Sequence, residues 1–401
     1  MMQQEATEQP FDQRGSTLMA EIGSHAAPQA FYSAKAKDVR SERIDEVVHL
    51  YRHSDIVAVN RHPAVLGQGE RGSILGSSSA LIPLELDGAD HQKWRRILDP
   101  LFAPKQVALL EDGFRRLCAE LIDKFGDQTE VELYSQFCVP LPCLTFLQLV
   151  GAPTDGLAFF LEFKDAVIHA DGDTMEERMA SAAEAGAKLY TYLNDLIEER
   201  RRHAPKGDLL GALMQAEVDD EPVSQLDLLN VLFLLMFAGL DTVTASMSCI
   251  FAWLAQHPEA RARLVDDPAL IRPAIEELLR FESPVPSGVR YATEDIDLGE
   301  GLVIRAGDAI HALWAAANLD PSALDNPLEI DFNRRRQNHI VFASGTHRCL
   351  GSHLARLELR LAVEEFHKRF PNYYVPAGQQ IAFDNKAVRM ATSLPIALKA
   401  P

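Results

Sequence analysis

Apolar residues recur every three or four positions along much of the chain. Between Pro104 and Phe125 they fall at Val107, Leu110, Phe114, Leu117 and Leu121, which is one face of a helix. The same spacing predicts helices around 131–150, 157–169, 176–203 and 259–282. Alternation with a period of two is rarer. It predicts strands near 56–59 (IVAV), across 289–313 with turns at Gly299–Gly301 and Gly307, and in VRMATSLPIAL at 388–398. The first fifteen residues carry neither pattern and read as a loose tail. No composition break marks a linker, so residues 16–401 are expected to form one large, mainly helical domain with small β-sheets attached.

The longest apolar run spans 230–256 and carries a single charge, Asp241. By length alone it passes a membrane filter. No basic cluster flanks it, and Gly239, Asp241 and Thr242 interrupt it, so a long helix buried in a large core is the expected reading. At 3.6 residues per turn Leu234, Ala238, Asp241, Thr242 and Ala245 share one face. Ala238 and Gly239 leave that face low enough for something bulky to press against it.

Composition narrows the class. The chain has 401 residues, 47% of them hydrophobic, enough for a sizeable core. A formal net charge of -19 argues against nucleic acid as a partner, because phosphate binding needs a basic footprint. Cys118, Cys138, Cys143, Cys249 and Cys349 are odd in number and widely spaced, with no CxxC or Cys/His cluster. Free thiols in a reducing compartment are expected. The polar N-terminus lacks the layout of a signal peptide, so a cytoplasmic protein without a membrane anchor is expected.

Two short motifs lack the context that would make them functional. Gly67 to Gly72 spells GxGxxG, but no strand directly precedes it and no helix directly follows, so it reads as a flexible loop. GSSSA at 76–80 lacks the final glycine of a nucleophile elbow.

Cys349 is different. It stands between Gly345 and Gly351 where a helical pattern begins, with His347 and Arg348 just before it. It has three readings: an inert core thiol, a nucleophile, or a metal ligand. A base two residues away gives poor geometry for nucleophilic catalysis. A helix N-terminus favours thiolate, Gly345 permits a tight turn, and Gly351 clears space for a flat ligand. One thiolate with no second ligand nearby suits an iron whose in-plane ligands come from a macrocycle.

Phe342-x-x-Gly345-x-x-x-Cys349-x-Gly351 resembles the haem-binding signature of the cytochrome P450 monooxygenases. AGLDT at 238–242 is similar to that family's oxygen-activating segment, and Glu277-x-x-Arg280 to its buried Glu–Arg pair. The three occur in the family's order and spacing, and the likeness runs from about residue 40 to the C-terminus. Two positions depart from the pattern. Ala343 stands where a glycine is usual, which stiffens the turn, and Leu319 stands where many members carry arginine.

The resemblance implies haem b with Cys349 as its axial ligand, shielded by Phe342 and the turn amides. It implies His91, Arg95, Arg290 and His347 as propionate partners, and Ala238 and Gly239 as the oxygen groove. Asp241 and Thr242 would deliver protons. Glu277 and Arg280 would be structural, with Arg334 or, failing that, Arg336. The substrate pocket would draw on Leu234, Phe237, Val285, Pro286, Ser287 and Gly288, with the loop 63–88, the stretch 155–190 and a turn near Arg389 to Thr392. Its apolar lining implies a small hydrophobic substrate, terpenoid or aromatic. Electrons would come from a 2Fe-2S ferredoxin and its NAD(P)H-dependent reductase, docking on Lys93, Arg96, Arg348, Arg356 and Arg360 of an expected monomer. A peroxide-driven enzyme or isomerase on the same scaffold is weighed against by Asp241–Thr242. A haem-based ligand sensor is weighed against by the lack of an attached signalling domain.

Overall fold

In the computed structural model, residues 16–399 are described except for 24, 26, 45, 68–79, 169–174, 204–206, 336–337 and 386–387. The expected loose tail, most of GQGERG and of GSSSA, and Arg336 lie outside the described residues.

The apolar run forms one helix of 32 residues, Gln225–Gln256. Ser224 starts it, accepting from Asp227 N, and the His257–Pro258 step ends it because proline disfavours a helical residue before it. It touches the helices Pro140–Val150, Met175–Arg201, Ile271–Glu282 and Ser352–Arg369, and the strand Met390–Ser393. Among the described residues it is the one helix long and apolar enough to cross a membrane, but packed helices surround it and Leu232, Met236, Ala245 and Phe251 are fully enclosed.

The other helical stretches are interrupted where the chain chemistry changes. The 104–125 pattern becomes Pro104–Ala108 and Glu111–Asp123, with Leu109 left 75% exposed between them. Around 131–150 a short strand, Glu130–Glu132, and a π-type turn, Tyr134–Cys138, precede the helix Pro140–Val150, which proline opens. Leu157–Ile168 and Met175–Arg201 follow the expected spans. The 259–282 pattern splits at Pro268 into Pro258–Asp266 and Ile271–Glu282.

The strand expected at IVAV is a correction. Residues His53–Arg61 are helical. Ile56 and Val59 are fully buried at a spacing of three while Ala58 faces outward, a helical period that a four-residue apolar run cannot distinguish from a strand.

The 289–313 stretch is β-structure as its alternation predicts. It supplies Gly288–Ala292 and Ala309–Ala312 to a five-stranded sheet and pairs Ile296–Asp297 with Val303–Ile304. The sheet runs in the order Ser41–Ile44, Val47–Leu50, Ala309–Ala312, Gly288–Ala292, Val65–Leu66. Its register sets Arg290 opposite Ile310 and Ile310 opposite Val48, so the arginine lies on an apolar face. At the C-terminus Met390–Ser393 pairs with Ala382–Asp384, and Pro395–Ala397 with Glu130–Glu132.

Candidate active site

Ile340 to Gly351 fold into tight turns before the helix Ser352–Arg369 begins. Ala343 N donates to the Ile340 carbonyl at 2.8 Å, Arg348 N to Gly345 at 3.2 Å, and Cys349 N to Phe342 at 2.9 Å. Gly345 has φ +76°, and a Cβ there would lie 1.8 Å from the Asn60 carbonyl oxygen. Only glycine fits. Ala343 has φ +56°, the same left-handed region without glycine's freedom.

Cys349 is exposed although its thiol lies deep in the protein, where burial raises its pKa; the Gly351 N–H and the cations of Arg95, Arg356 and Arg348 pull it back down. Accessibility at such depth means that a hollow lies over the sulfur. The central helix shows the same signature. Ala238 is exposed and Gly239, Asp241 and Thr242 are half-exposed, while Met236, Leu240 and Val243 are buried. A Cβ added at Gly239 or Gly351 would meet nothing within 4 Å. The helices carrying these two openings pack on one another. No group of three or more metal-ligating side chains occurs among the described residues.

A cluster of histidines and arginines borders the site. His91 sits on the helix Gly88–Leu101, and its ring centroid lies 4.2 Å from that of His347. Burial, then His347 and Arg95, push its pKa down to about 4. His347 Nε2 meets Asp87 Oδ1 at 2.8 Å. Arg95 pairs with Asp99 at 2.7 Å and donates to the Arg348 carbonyl at 2.7 Å. Arg290 is 9% exposed and donates to the Val289 carbonyl at 2.6 Å. Among the described residues no carboxylate reaches it within ion-pair distance, and burial lowers its pKa to about 10. A buried guanidinium held in no ion pair, with Asp87 only partly offsetting its burial, fits an anionic group, and haem brings two carboxylates. The donor set and the hollow therefore fit haem.

Sequence reasoning missed Asp87, which holds both His347 and Gly67 N (2.7 Å). It also passed over Gly67. A Cβ there would fall 2.6 Å from the His347 ring, so a glycine of the discarded GxGxxG is needed for close approach.

Thr242 Oγ1 donates to the Ala238 carbonyl at 2.8 Å, and Asp241 precedes it, partly buried. Of the expected pocket residues, Leu234 and Pro286 are buried, and Phe237, Val285, Ser287 and Gly288 are half-buried. Ser287 Oγ lies 2.7 Å from His311 Nε2. Arg389 is a correction: it is buried and paired with Glu282 at 2.7 Å, so this end of the expected pocket turn belongs to the core.

Glu277 and Arg280 are 0% and 1% exposed. Arg280 Nε and Nη2 donate to the two Glu277 oxygens at 3.0 and 2.9 Å, and its remaining donors reach the carbonyls of Asn318, Pro327 and Glu329. Arg334 Nε adds a bond to Glu277 Oε1 at 2.9 Å. Leu319 is fully buried among Leu18, Tyr32 and Leu313, so apolar packing occupies the position where the family pattern has arginine.

The basic patch is largely corrected. Arg360 is buried and paired with Glu111 and Glu364. Arg356 is paired with Glu276 and faces the Phe342 ring. Lys93 is tied to Asp219 and Asp90. Arg96 and Arg348 stay exposed. Arg356 and Arg360 lie between packed helices and pair inward with carboxylates, whereas the Lys93 pairs lie at the surface.

Comparison with known proteins agrees with this geometry. The family model for cytochrome P450 matches residues 165–399. Cytochrome P450 CYP107DY1 of Priestia megaterium is 30% identical over 364 residues, covering 86% of this chain and 88% of the relative. Mycinamicin IV hydroxylase/epoxidase of Micromonospora griseorubida is 33% identical over 321 residues, covering 78% and 79%. The structure of the bacillaene polyketide synthase cytochrome P450 PksS of Bacillus subtilis 168 superposes with a TM-score of 0.83 at 27% identity, covering 95% and 98%. The chain has the mainly helical P450 fold, and it belongs to the cytochrome P450 family as a haem-dependent monooxygenase.

Proposed function

We propose that this chain oxidises a small hydrophobic substrate, terpenoid or aromatic in class, by inserting one oxygen atom from O2 with electrons from an external 2Fe-2S ferredoxin and its NAD(P)H-dependent reductase. The observation that carries the reading is the exposed Cys349 at the mouth of the helix Ser352–Arg369, together with a buried Arg290 held in no ion pair among the described residues. Cys349 would ligate the iron. Arg290, His91, His347 and Arg95 would hold the propionates. Bound haem supplies the redox centre at which O2 is activated.

The chain's own part is binding, orientation and proton delivery. Ala238 and Gly239 leave room on the oxygen side of the central helix. Thr242 keeps its hydroxyl proton on the Ala238 carbonyl at rest, and rotation about χ1 would turn it towards the hollow. Asp241 beside it would pass protons inward. Glu277, Arg280 and Arg334 would hold the framework behind the cysteine loop. We place the enzyme in the cytoplasm, as a monomer built on residues 16–401. The relative named for mycinamicin IV widens the substrates worth testing to larger natural products. With Arg356 and Arg360 paired inward and Lys93 tied to surface carboxylates, Arg96 and Arg348 are the cations left for ferredoxin docking.

The test is reconstitution with haem, followed by the carbon monoxide spectrum of the reduced protein and a titration of the ferric Soret band with terpenes, aromatics and macrolides. A thiolate-type band and a substrate-induced spin shift are expected. A histidine-type band would remove the central assignment. Turnover should require ferredoxin, reductase and NAD(P)H, and should slow with salt and with Arg96→Glu.

A further inference from the structure

Arg356 turns inward from the helix that follows Cys349, and what it meets is specific. Its Nε donates to Glu276 Oε1 at 2.6 Å and its Nη2 to Glu276 Oε2 at 2.8 Å. Glu276 also meets His339 Nε2 at 3.0 Å. Held in this fork, Arg356 Cζ lies 4.2 Å from the centroid of the Phe342 ring. The His339 ring stands 6.4 Å from the same ring, tilted by 49°. The Phe342 carbonyl in turn accepts the Cys349 N–H at 2.9 Å. Two side chains, one from each side of Cys349 in the chain, thus face the aromatic ring whose backbone holds the cysteine, and Glu276 binds both of them.

A two-point guanidinium–carboxylate pair fixes the guanidinium plane as well as its position, and a cation over a ring face restrains the ring. The charge matters as much as the geometry. Three arginines stand around the Cys349 turn: Arg356 over the ring of Phe342, whose carbonyl holds the Cys349 N–H, Arg95 donating to the Arg348 carbonyl, and Arg348 next to the cysteine in the chain. Arg95 is bound to Asp99 through Nε, and Arg348 is exposed. Arg356 alone of the three is held by both oxygens of a partly buried carboxylate, so its field at the sulfur depends on Glu276.

We propose that the Glu276–Arg356 pair, backed by His339, is the positioning and charge-setting unit of the Cys349 loop: it clamps the Phe342 ring and sets the electrostatic field on the iron ligand. The proposal rests on the reading of Cys349 as that ligand. Reduction adds one negative charge to a haem-thiolate centre, so a neighbouring cation favours the reduced form and an anion disfavours it. In the intact pair the two charges offset. Loss of either leaves the other, with opposite sign.

The test is the midpoint potential of the haem-loaded protein, with the reduced carbon monoxide spectrum of every variant as control. Glu276→Gln is expected to raise the potential and Arg356→Gln to lower it. Arg356→Lys keeps the charge but loses the fork, and should fall between Arg356→Gln and the parent. The double variant should return towards the parent value. If Arg356→Gln fails to take up haem, Glu276→Gln and Arg356→Lys carry the same comparison. Potentials that do not move, or that shift in the same direction in both charge-removing variants, overturn the proposal while leaving the thiolate assignment intact. A parent protein without a thiolate-type band overturns the ligand assignment, and this proposal with it.

Discussion

Glu358 and Thr145 share a hydrogen bond of 2.9 Å in the buried seam between the helices Ser352–Arg369 and Pro140–Val150. Thr145 Oγ1 also lies 2.9 Å from the Pro142 carbonyl. One hydroxyl has one proton to give. Both bonds form together only if Thr145 donates to Pro142 and accepts from a protonated Glu358. Burial agrees, pushing the Glu358 pKa up to about 8. A carboxyl whose folded pKa exceeds its unfolded value contributes fully below the unfolded pKa, near 4.3, and loses that contribution as pH rises towards 8. Glu358→Gln mimics the protonated form. It should leave stability nearly unchanged at pH 4.5 and raise it on the order of 4–5 kcal/mol at pH 8. Urea midpoints at the two pH values check this, and a gain independent of pH would refute it.

Glu277 accepts from Arg280, Arg334 and the Asp331 N–H, with no exposure to solvent. Removing it leaves the guanidinium of Arg280 buried and uncompensated. Glu277→Ala should cost about 3–5 kcal/mol and yield little haem-loaded protein. Glu277→Gln keeps an acceptor but not the charge and should cost less. Thermal unfolding of the purified variants orders the three proteins, and equal stability of parent and Glu277→Ala would contradict the account.

How far the sequence could be read follows from the range of each interaction. The cysteine loop was legible because its constraints lie within ten residues: Cys349 bonds back to Phe342, and Gly345 makes the turn. The Glu277–Arg280 pair lies within one helix turn and was legible for the same reason. Arg356 and Arg360 were misassigned to the surface because their partners, Glu276 and Glu111, lie 80 and 249 residues away. No local pattern carries that information. Arg290 showed its position only once the register set it beside Ile310 on an apolar face. IVAV failed because four apolar residues fit both a helix and a strand.

Ala343 at φ +56° lies where L residues are strained by about 1–2 kcal/mol. Glycine would relieve that, but it loses a methyl packed against the cluster around Trp314 and Ile340 and brings greater freedom to the unfolded chain. The opposing effects leave Ala343→Gly within about 0.5 kcal/mol of the parent. Ala343→Val adds β-branching at positive φ and should cost roughly 2 kcal/mol or more. Denaturant midpoints at constant slope distinguish the pair. A Val variant as stable as the parent would mean that this φ carries no strain.

Thr242 and Ala238 are joined by a hydroxyl–carbonyl bond of 2.8 Å that the helix does not need, since its backbone ladder is continuous there. Thr242→Ala should therefore keep the fold, the haem content and the reduced carbon monoxide spectrum. If the hydroxyl delivers protons, product formed per NAD(P)H should drop by roughly tenfold, with the missing electrons recovered as hydrogen peroxide. Unchanged coupling would reduce Thr242 to a helix back-bond.

Arg290 allows a prediction with two opposite signs. In the haem-free protein it is a buried cation with no carboxylate in reach among the described residues, and burial has already lowered its pKa to about 10. That depression corresponds to a penalty of roughly 3 kcal/mol for keeping the charge. Arg290→Met fills much of the same volume against Trp314, whose ring centroid lies 5.8 Å from the guanidinium, and removes the charge. Haem-free Arg290→Met should therefore be more stable than the haem-free parent by up to that amount. The haem-loaded variant should release haem faster to an acceptor such as apomyoglobin, because a propionate loses its cation. A structural role alone predicts loss of stability in both forms. A propionate role predicts a gain in one and a loss in the other, and unfolding midpoints with haem-transfer rates on the same preparations tell them apart.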